Sequence, residues 1–304
     1  MNQLSKTILE NHQKRKTKKQ KNEFIALLRE HFPEMQEEVG GSMKSRNLLF
    51  GDLETAKVVL AAHYDTSPLS MLPNIIMPHR KVLKFFYSML SVLPYIAALL
   101  LTYWGALALG ATQQMSLLAG LAVYYLLYFG KFYAGLPNPK NFNDNTSGVI
   151  TLLEAYTAMT ELQRSRTAVV LFDNEEYGCV GSSWFYKQHK PLMDQKLLVN
   201  FDCVGDGDHF LLVRSNELPE AWDSALRQAF LPEDGHAIVF DTAKNANHSS
   251  DHKHFKYFLS VLAACDHPLL GLHTGRIHTS KDTVLDMENI HYLSVAIQRL
   301  TNFI

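Results

Sequence analysis

Three short apolar runs, each followed within a few residues by metal-binding side chains, constrain the fold of this chain most strongly. The runs are Val58–Ala62, Ala168–Phe172 and Leu197–Phe201, and the side chains that follow them are His63, the Glu175–Glu176 pair and Asp202. Continuous apolar runs of this length are typical of buried parallel strands. Because open α/β sheets bind ligands at the carboxyl ends of such strands, we expect these side chains to gather at one edge of a sheet.

The composition of the chain is that of an ordinary globular protein. Apolar runs alternate with amphipathic stretches over 304 residues, which predicts one large α/β domain with a mixed, mostly parallel central sheet and helices on both faces. A net charge of −1 gives no reason to expect nucleic acid as a partner. The three cysteines, Cys179, Cys203 and Cys265, indicate buried thiols in a reducing compartment, and residues 1–21 lack the apolar core of a secretory signal.

Two more metal-binding side chains complete a possible ligand set. In chain order the candidates are His63, Asp144, Glu176, Asp202 and His278, with Glu175 as a spare carboxylate. A single histidine is more often structural than a ligand, and a pair of glutamates is usually a solvated surface. The whole set is harder to attribute to coincidence, because five nitrogen and oxygen ligands are what a pair of divalent cations needs.

Six segments of the chain resemble the M28 family of zinc aminopeptidases and carboxypeptidase-like relatives. They are HYDT (63–66), NDNTSG (143–148), NEEYGCVGS (174–182), NFDCVG (200–205), SDHKHF (250–255) and HTSKDT (278–283). The resemblance implies a zinc-exopeptidase type of sheet that holds two Zn²⁺ ions. It assigns His63, Asp202 and Asp144 to one zinc, and Glu176, His278 and the same Asp144 to the other. It also implies Glu175 as general base and a cis peptide bond between Asp144 and Asn145.

The chemistry of these residue types agrees with the assignment. Zinc takes imidazole and carboxylate ligands, and two neighbouring zinc ions can share one carboxylate and one hydroxide. Adjacent side chains on an extended segment diverge, so Glu175 is left free beside Glu176 to move a proton. Asp65 is expected to accept the second imidazole N–H of His63 and fix its tautomer, although it could also be a plain turn residue.

A long apolar insertion separates His63 from Asp144. Residues 85–130 contain no charged residue or histidine, and Phe85–Leu109 and Met115–Tyr133 are both long enough to span a bilayer. The sequence therefore predicts a transmembrane helical hairpin at 80–135, between a first part of the catalytic domain at 1–79 and the remainder at 136–304. A buried helical subdomain or a hydrophobic lid are the alternatives.

Basic residues flank the hairpin on its outer ends only. They are His79, Arg80, Lys81, Lys84, Lys131 and Lys140. Positive residues favour the cytosol, so the catalytic domain and both termini are expected on that side of the membrane. The basic run at 12–21, which leads into a predicted helix Asn22–His31, is either a solvated, frayed terminus or a segment that attracts anionic lipid.

These features predict a membrane-anchored two-zinc metallo-exopeptidase, an aminopeptidase, which cleaves peptides with a metal-bridging hydroxide and Glu175 as general base. The expected partners are a peptide substrate and the lipid bilayer, and the oligomeric state stays open. Two alternatives remain. A glutaminyl-cyclase-like acyl transferase shares the fold but generally works with one zinc, and a membrane receptor with a silent site would usually have lost ligands.

Overall fold

The structure is a computed structural model that describes residues 1–233 and 235–304, with Phe132 described by its backbone alone. The strands are β1 (Gln36–Gly40), β2 (Ser45–Phe50), β3 (Val58–His63), β4 (Asn74–Ile76), β5 (Thr167–Phe172), β6 (Leu197–Phe201), β7 (His209–Arg214), β8 (Ala237–Thr242), β9 (Phe258–Ala264) and β10 (Thr274–Ile277). The helices are α1 (Gln3–Asn11), α2 (Lys18–His31), α3 (Lys81–Ala108), α4 (Gln113–Ala134), α5 (Gly148–Ala158), α6 (Glu161–Ser165), α7 (Val180–Met193), α8 (Glu220–Ala229) and α9 (Met287–Phe303).

A mixed central sheet carries the fold, in the order β1-β2-β5-β3-β6-β9-β7-β8. Its middle strands β5, β3, β6 and β9 run parallel, whereas β1, β2 and β7 pair with antiparallel neighbours. Every residue of β3, β5, β6 and β9 is buried, which explains their continuous apolar sequences. The prediction of a mixed, mostly parallel α/β sheet is confirmed.

The register of the parallel strands brings their carboxyl ends together. The predicted runs became β3, β5 and β6, with one residue added at an end of β3 and of β5. His63 is paired with Phe172, the last residue of β5, and Ala61 is paired with Asn200 near the end of β6. The segments that carry the candidate ligands therefore leave the sheet at one edge.

Helices cover both faces of the sheet. On one face, apolar residues of α1, α2, α5, α8 and α9 form the larger core with the sheet, for example Ile8, Phe24 and Leu293. On the other face, Phe185 and Met193 of α7 pack against β3 and β5. The predicted helices on both faces are confirmed.

The basic run at 12–21 is not a frayed terminus. Gln13, Arg15, Lys16 and Lys21 are buried, and α2 begins at Lys18, four residues before the predicted start. Thr17 caps this helix through reciprocal hydrogen bonds with Gln20. The frayed-terminus interpretation was wrong because the buried members of the run find polar partners inside the protein, such as Asp173 for the Lys21 ammonium.

The insertion forms two apolar helices that pack against each other. Tyr95 of α3 contacts Tyr124 and Tyr128 of α4, and Gly120 of α4 lies against Leu99. Residue numbers rise along α4 as they fall along α3, so the helices are antiparallel. None of the α3 residues is buried, so the alternative of a buried helical subdomain was wrong.

Within the described residues, one helix has the length and hydropathy of a membrane span. This is α3, whose most apolar window has a mean hydropathy of 1.8 and no buried residue. The second predicted span, α4, is not among the spans found in the described part of the chain. Four tyrosines and Lys131 reduce its hydropathy.

Candidate metal centre

The five predicted ligands converge at the carboxyl edge of the sheet in two groups that share Asp144. In the first group, Nε2 of His63 lies 3.3 Å from Oδ1 of Asp144 and 3.6 Å from Oδ1 of Asp202. In the second, Nε2 of His278 lies 3.0 Å from Oδ2 of Asp144 and 3.3 Å from Oε2 of Glu176. Asp144 thus offers one carboxylate oxygen to each group.

These separations fit zinc. Ligands of a tetrahedral zinc ion lie about 2.0–2.2 Å from the metal, so neighbouring ligand atoms are about 3.3 Å apart. The four distances of 3.0–3.6 Å are close to that value. In addition, Oε1 of Glu176 is buried without a hydrogen-bond partner among the described residues, so it has no competing contact.

The buried carboxylates of the cluster also favour the binding of cations. Burial disfavours the imidazolium of His63, yet the Asp144, Asp202 and Asp65 carboxylates hold its pKa well above the usual value. Burial raises the pKa of Glu176 well above its usual value, and the Asp144 and Glu175 carboxylates add to this effect. Buried carboxylates that repel one another are the environment that a divalent cation stabilises.

Asp65 supports the site differently from the prediction. The His63 Nδ1 atom lies 3.1 Å from the backbone oxygen of Asp65, whereas the Asp65 carboxylate is 3.7 Å away. That carboxylate instead accepts hydrogen bonds from the backbone N–H groups of Glu175 at 3.0 Å and Glu176 at 3.2 Å. Asp65 therefore fixes the His63 tautomer through its backbone and positions the Glu175–Glu176 loop through its side chain.

The loop that carries Asp144 is held by two residues whose roles the sequence did not reveal. The Asp282 carboxylate accepts the backbone N–H groups of Asn143 and Asp144 at 2.8 and 3.0 Å. Asn145 donates to the backbone oxygen of Phe201 at 2.9 Å, beside Asp202. The peptide bond between Asp144 and Asn145 is cis, as predicted.

Arg15 is a fully buried cation beside the site, and its role could not be read from the sequence. Its guanidinium donates to the backbone oxygen of Tyr64 at 2.5 Å, to that of His12, and to the Thr146 hydroxyl at 3.0 Å. Burial lowers its pKa to about 10, although Asp65 and Asp144 oppose this shift. Arg15 thus joins the segment after His63 to the segment after Asp144. Its place in a basic run gave no signal of this role.

Glu175 lines a cavity of about 270 Å³ together with the five ligands. It belongs to neither ligand group, as predicted for a carboxylate that stays free. Burial raises its pKa well above the usual value, His63 opposes the shift, and the Asp251 and Asp202 carboxylates reinforce it. A buried, unligated carboxyl group beside a metal cluster is placed to accept and donate protons.

His248 also reaches the cluster. Its Nδ1 atom lies 2.9 Å from the Ser260 hydroxyl, and its Nε2 atom lies 3.8 Å from Oδ2 of Asp202. It is not part of either ligand group in the described residues.

Solved structures with this fold include an aminopeptidase, a Zn-dependent exopeptidase and a glutaminyl cyclase. The chain is similar to the LapA aminopeptidase of Legionella pneumophila, with 14% identity and a TM-score of 0.58 over 99% of this chain and 68% of that one. It is similar to a glutaminyl cyclase of Porphyromonas gingivalis, with 14% identity and a TM-score of 0.57 over 99% of this chain and 94% of that one. A Zn-dependent exopeptidase of Parabacteroides distasonis also has 14% identity and a TM-score of 0.57, over 98% and 94% of the two chains.

At these identities the likeness shows the fold alone. No curated protein matches the chain. The sequence profile of peptidase family M28 matches residues 135–296, which include Asp144, the Glu175–Glu176 pair, Asp202 and His278. Since this match spans more than half of the 304 residues and contains four of the five converging ligands, the chain belongs to peptidase family M28.

Proposed function

We propose that this protein is a membrane-anchored metallo-exopeptidase that holds two zinc ions. The observation that carries the proposal is the shared Asp144 carboxylate, which has one oxygen in each of two ligand groups. One zinc would be held by His63, Asp202 and Asp144, and the other by Glu176, His278 and Asp144. When bound, the ions would acidify water and polarise the carbonyl of the scissile amide.

The residues of the chain then supply positioning and proton transfer. Asp65 and Asp282 hold the backbones of the two loops that carry Glu175, Glu176 and Asp144. Glu175 takes a proton from the attacking water and delivers it to the leaving nitrogen, which is the role of a general base that becomes a general acid.

A substrate panel tests this function. Purified protein loaded with zinc should hydrolyse one or more of a set of aminoacyl amides, dipeptides and N-blocked dipeptides. Glu175→Gln should keep both metals and lose about 10²- to 10⁴-fold in kcat, because the amide cannot accept a proton. The matched control is Glu161→Gln on the exposed start of α6. Activity near wild type in Glu175→Gln would remove this residue from the proposed role.

The same panel separates an aminopeptidase from other exopeptidases. The aminopeptidase prediction requires a free substrate amine to contact the metals or acidic groups. Among the described residues that line the cavity, the carboxylates are the ligands Asp144, Glu176 and Asp202, and Glu175. Faster turnover of substrates with a free amine than of their N-blocked counterparts would support an aminopeptidase.

Membrane anchoring is supported by the exposed apolar surface of the hairpin. Phe86, Leu101 and Trp104 of α3 are each more than 60% exposed, and contiguous apolar surface of this kind indicates a membrane or partner contact. The catalytic domain holds the hairpin at its base, where the Lys16 ammonium donates to the backbone oxygen of Tyr133 at 3.3 Å. The flanking basic residues support a cytosolic catalytic domain.

A glutaminyl-cyclase-like acyl transferase is the competing function, because a cyclase shares the fold. The presence of His63 beside Asp202 favours two metals over one. Two zinc ions per chain by elemental analysis would support the exopeptidase, and one would favour the cyclase. The retention of the whole ligand set together with Glu175 argues against a catalytically silent receptor.

A further inference from the structure

Apart from the five candidate ligands and Glu175, the described acidic and basic residues that line the cavity are two lysines and one further histidine, His248. Lys84, from the first turn of α3, and Lys253, from the turn Asp251–His254, both line the cavity. Within the described residues, no further carboxylate lines it. The hairpin and the catalytic domain each contribute one of these lysines.

Neither lysine has an acidic partner among the described residues. The Lys84 side chain is half-buried, and no described side chain or backbone oxygen forms an ion pair or hydrogen bond with its ammonium group. The Lys253 side chain is exposed, and its ammonium contacts the thiol of Cys179 and, at 3.5 Å, the backbone oxygen of Gly178. Lys21, by contrast, is paired with Asp173.

This charge distribution distinguishes between the two ends of a peptide. Three ligand carboxylates, from Asp144, Glu176 and Asp202, face the metal positions and would be neutralised there by two dications. The two lysines then leave the remainder of the cavity positive, which disfavours a substrate ammonium and favours a carboxylate.

An aromatic groove continues from this cavity along the hairpin. It has a volume of about 310 Å³ and is lined by Tyr128, Phe129 and Tyr133 of α4, with Glu176, Tyr177 and Gly178. Glu176 and Gly178 line both the groove and the cavity. Phe129 is 49% and Tyr133 70% exposed, so the groove is open on the side of the apolar helices.

We propose that the substrate is an N-acylated amino acid or short peptide with a free carboxylate, which enters from the lipid phase. Its carboxylate pairs with Lys84 and Lys253, and its apolar acyl chain lies in the aromatic groove. In the reaction, water adds its oxygen to the acyl carbon, the C–N bond breaks, and Glu175 transfers the proton to the leaving nitrogen. A fatty acid and an amino acid or peptide are released. This inference rests on the proposed function. It differs from the aminopeptidase prediction in that the protein recognises the carboxylate of the substrate and not a free amine.

Binding tests the inference without turnover. Zinc-loaded Glu175→Gln protein in nanodiscs is titrated with N-octanoyl-phenylalanine and with its carboxamide. We expect the acid to bind at least about tenfold more tightly than the amide, because an ion pair to a partly buried ammonium is lost in the amide. Adding Lys84→Met should remove most of this ratio, and adding Lys253→Met should reduce it to a smaller extent, because Lys84 is half-buried and Lys253 is exposed.

Matched controls use lysines outside the cavity. Lys81→Met changes an exposed lysine of the same helical turn, whose ammonium contacts the backbone oxygen of Lys244. Lys256→Met changes the exposed lysine that lies over the ring of Tyr257. Both should keep the ratio of acid to amide binding. Equal binding of acid and amide by the protein with both cavity lysines, or an unchanged ratio in both cavity variants, overturns the inference.

The role of the aromatic groove is tested with a separate pair of variants. Phe129→Ser should reduce the gain in affinity from N-acetyl- to N-octanoyl-phenylalanine about tenfold, since several buried methylenes lose their contacts. Leu126→Ser, on the same helix at 72% exposure and outside the groove, should keep that gain. An equal gain in both variants would remove the groove from the substrate site.

Turnover separates this inference from the proposed function. Hydrolysis of free-amine dipeptides in preference to N-acyl amino acids would leave the metallo-exopeptidase intact and overturn the carboxylate inference. Selective binding of the acid by a protein that hydrolyses no amide would support the carboxylate inference and overturn the proposed metallo-exopeptidase function.

Discussion

At the scale of single residues, Asp144 connects the two halves of the site. Each of its carboxylate oxygens faces a different histidine, His63 on one side and His278 on the other. The two groups nevertheless have separate remaining ligands, so each can be altered without removing the other.

Replacing one histidine should therefore remove one metal. We expect His63→Ala to lower the zinc content from two ions per chain to one, since Asp144, Glu176 and His278 keep the second group. Elemental analysis of the purified protein measures this content. His31→Ala, at an exposed position in α2, is the control. Full zinc content in His63→Ala would contradict the assignment of His63.

Arg15 makes a testable contribution to stability. Arg15→Leu leaves the backbone oxygens of Tyr64 and His12 without their buried donor. We expect a loss of about 3 kcal/mol or more in the free energy of unfolding, measured by urea denaturation. Lys14→Leu changes the exposed neighbour and should cost no more than about 0.5 kcal/mol. Equal losses in the two variants would show that Arg15 has no special role.

The convergence of the five candidate ligands could be predicted because each stands in a recognisable motif, mostly at the end of an apolar strand. Asp65 lies beside His63, but which of its oxygens contacts the imidazole depends on the path of the loop, which the sequence does not reveal. Arg15 was missed because it stands in a run of lysines, a pattern typical of a solvated surface, and only the tertiary fold shows that it is fully buried. Asp282 was missed because its partners are backbone groups 138 and 139 residues away.

At the scale of elements, the hairpin shows where hydropathy predicts well and where it does not. The predicted segments Phe85–Leu109 and Met115–Tyr133 became α3 and α4 with ends shifted by at most four residues. Their apolar runs identified the helices, since no charge interrupts residues 85–130. The residues that form the contact between the helices could not be predicted, because hydropathy does not show which aromatic side chains meet or that one glycine, Gly120, lies against Leu99.

That glycine provides a test of the helix pair. A Cβ atom at Gly120 would lie 2.9 Å from the backbone oxygen of Leu99, whereas one at Gly105 of α3 would meet no atom within 4 Å. We expect Gly120→Val to separate the helices and destabilise the pair by about 1–3 kcal/mol. Faster proteolysis at the link between the helices, in detergent, reports this loss. Gly105→Val is the control, and equal proteolysis of both variants would contradict the packing.

At the scale of the whole molecule, the proposed arrangement puts the link between α3 and α4 across the membrane from the catalytic domain. A cysteine at Ala111, in that link, should react with a membrane-impermeant maleimide in intact cells. Lys14→Cys should react with the same maleimide only after the membrane is permeabilised. Both are made in a Cys265→Ser background, since Cys179 and Cys203 are buried. Labelling of Ala111→Cys only after lysis would show that the hairpin does not span the bilayer.

The amino-terminal segment contacts the loops that carry the candidate metal ligands. Arg15 reaches Thr146, two residues beyond Asp144, and Lys21 reaches Asp173 and Asn174, just before Glu175. Removal of residues 1–21 would leave all five candidate metal ligands in the chain. It would remove the hydrogen bonds and the ion pair that hold the loops carrying Asp144 and Glu175. Residues far from the metal ligands in the sequence thus help to hold the ligand loops in place in the fold.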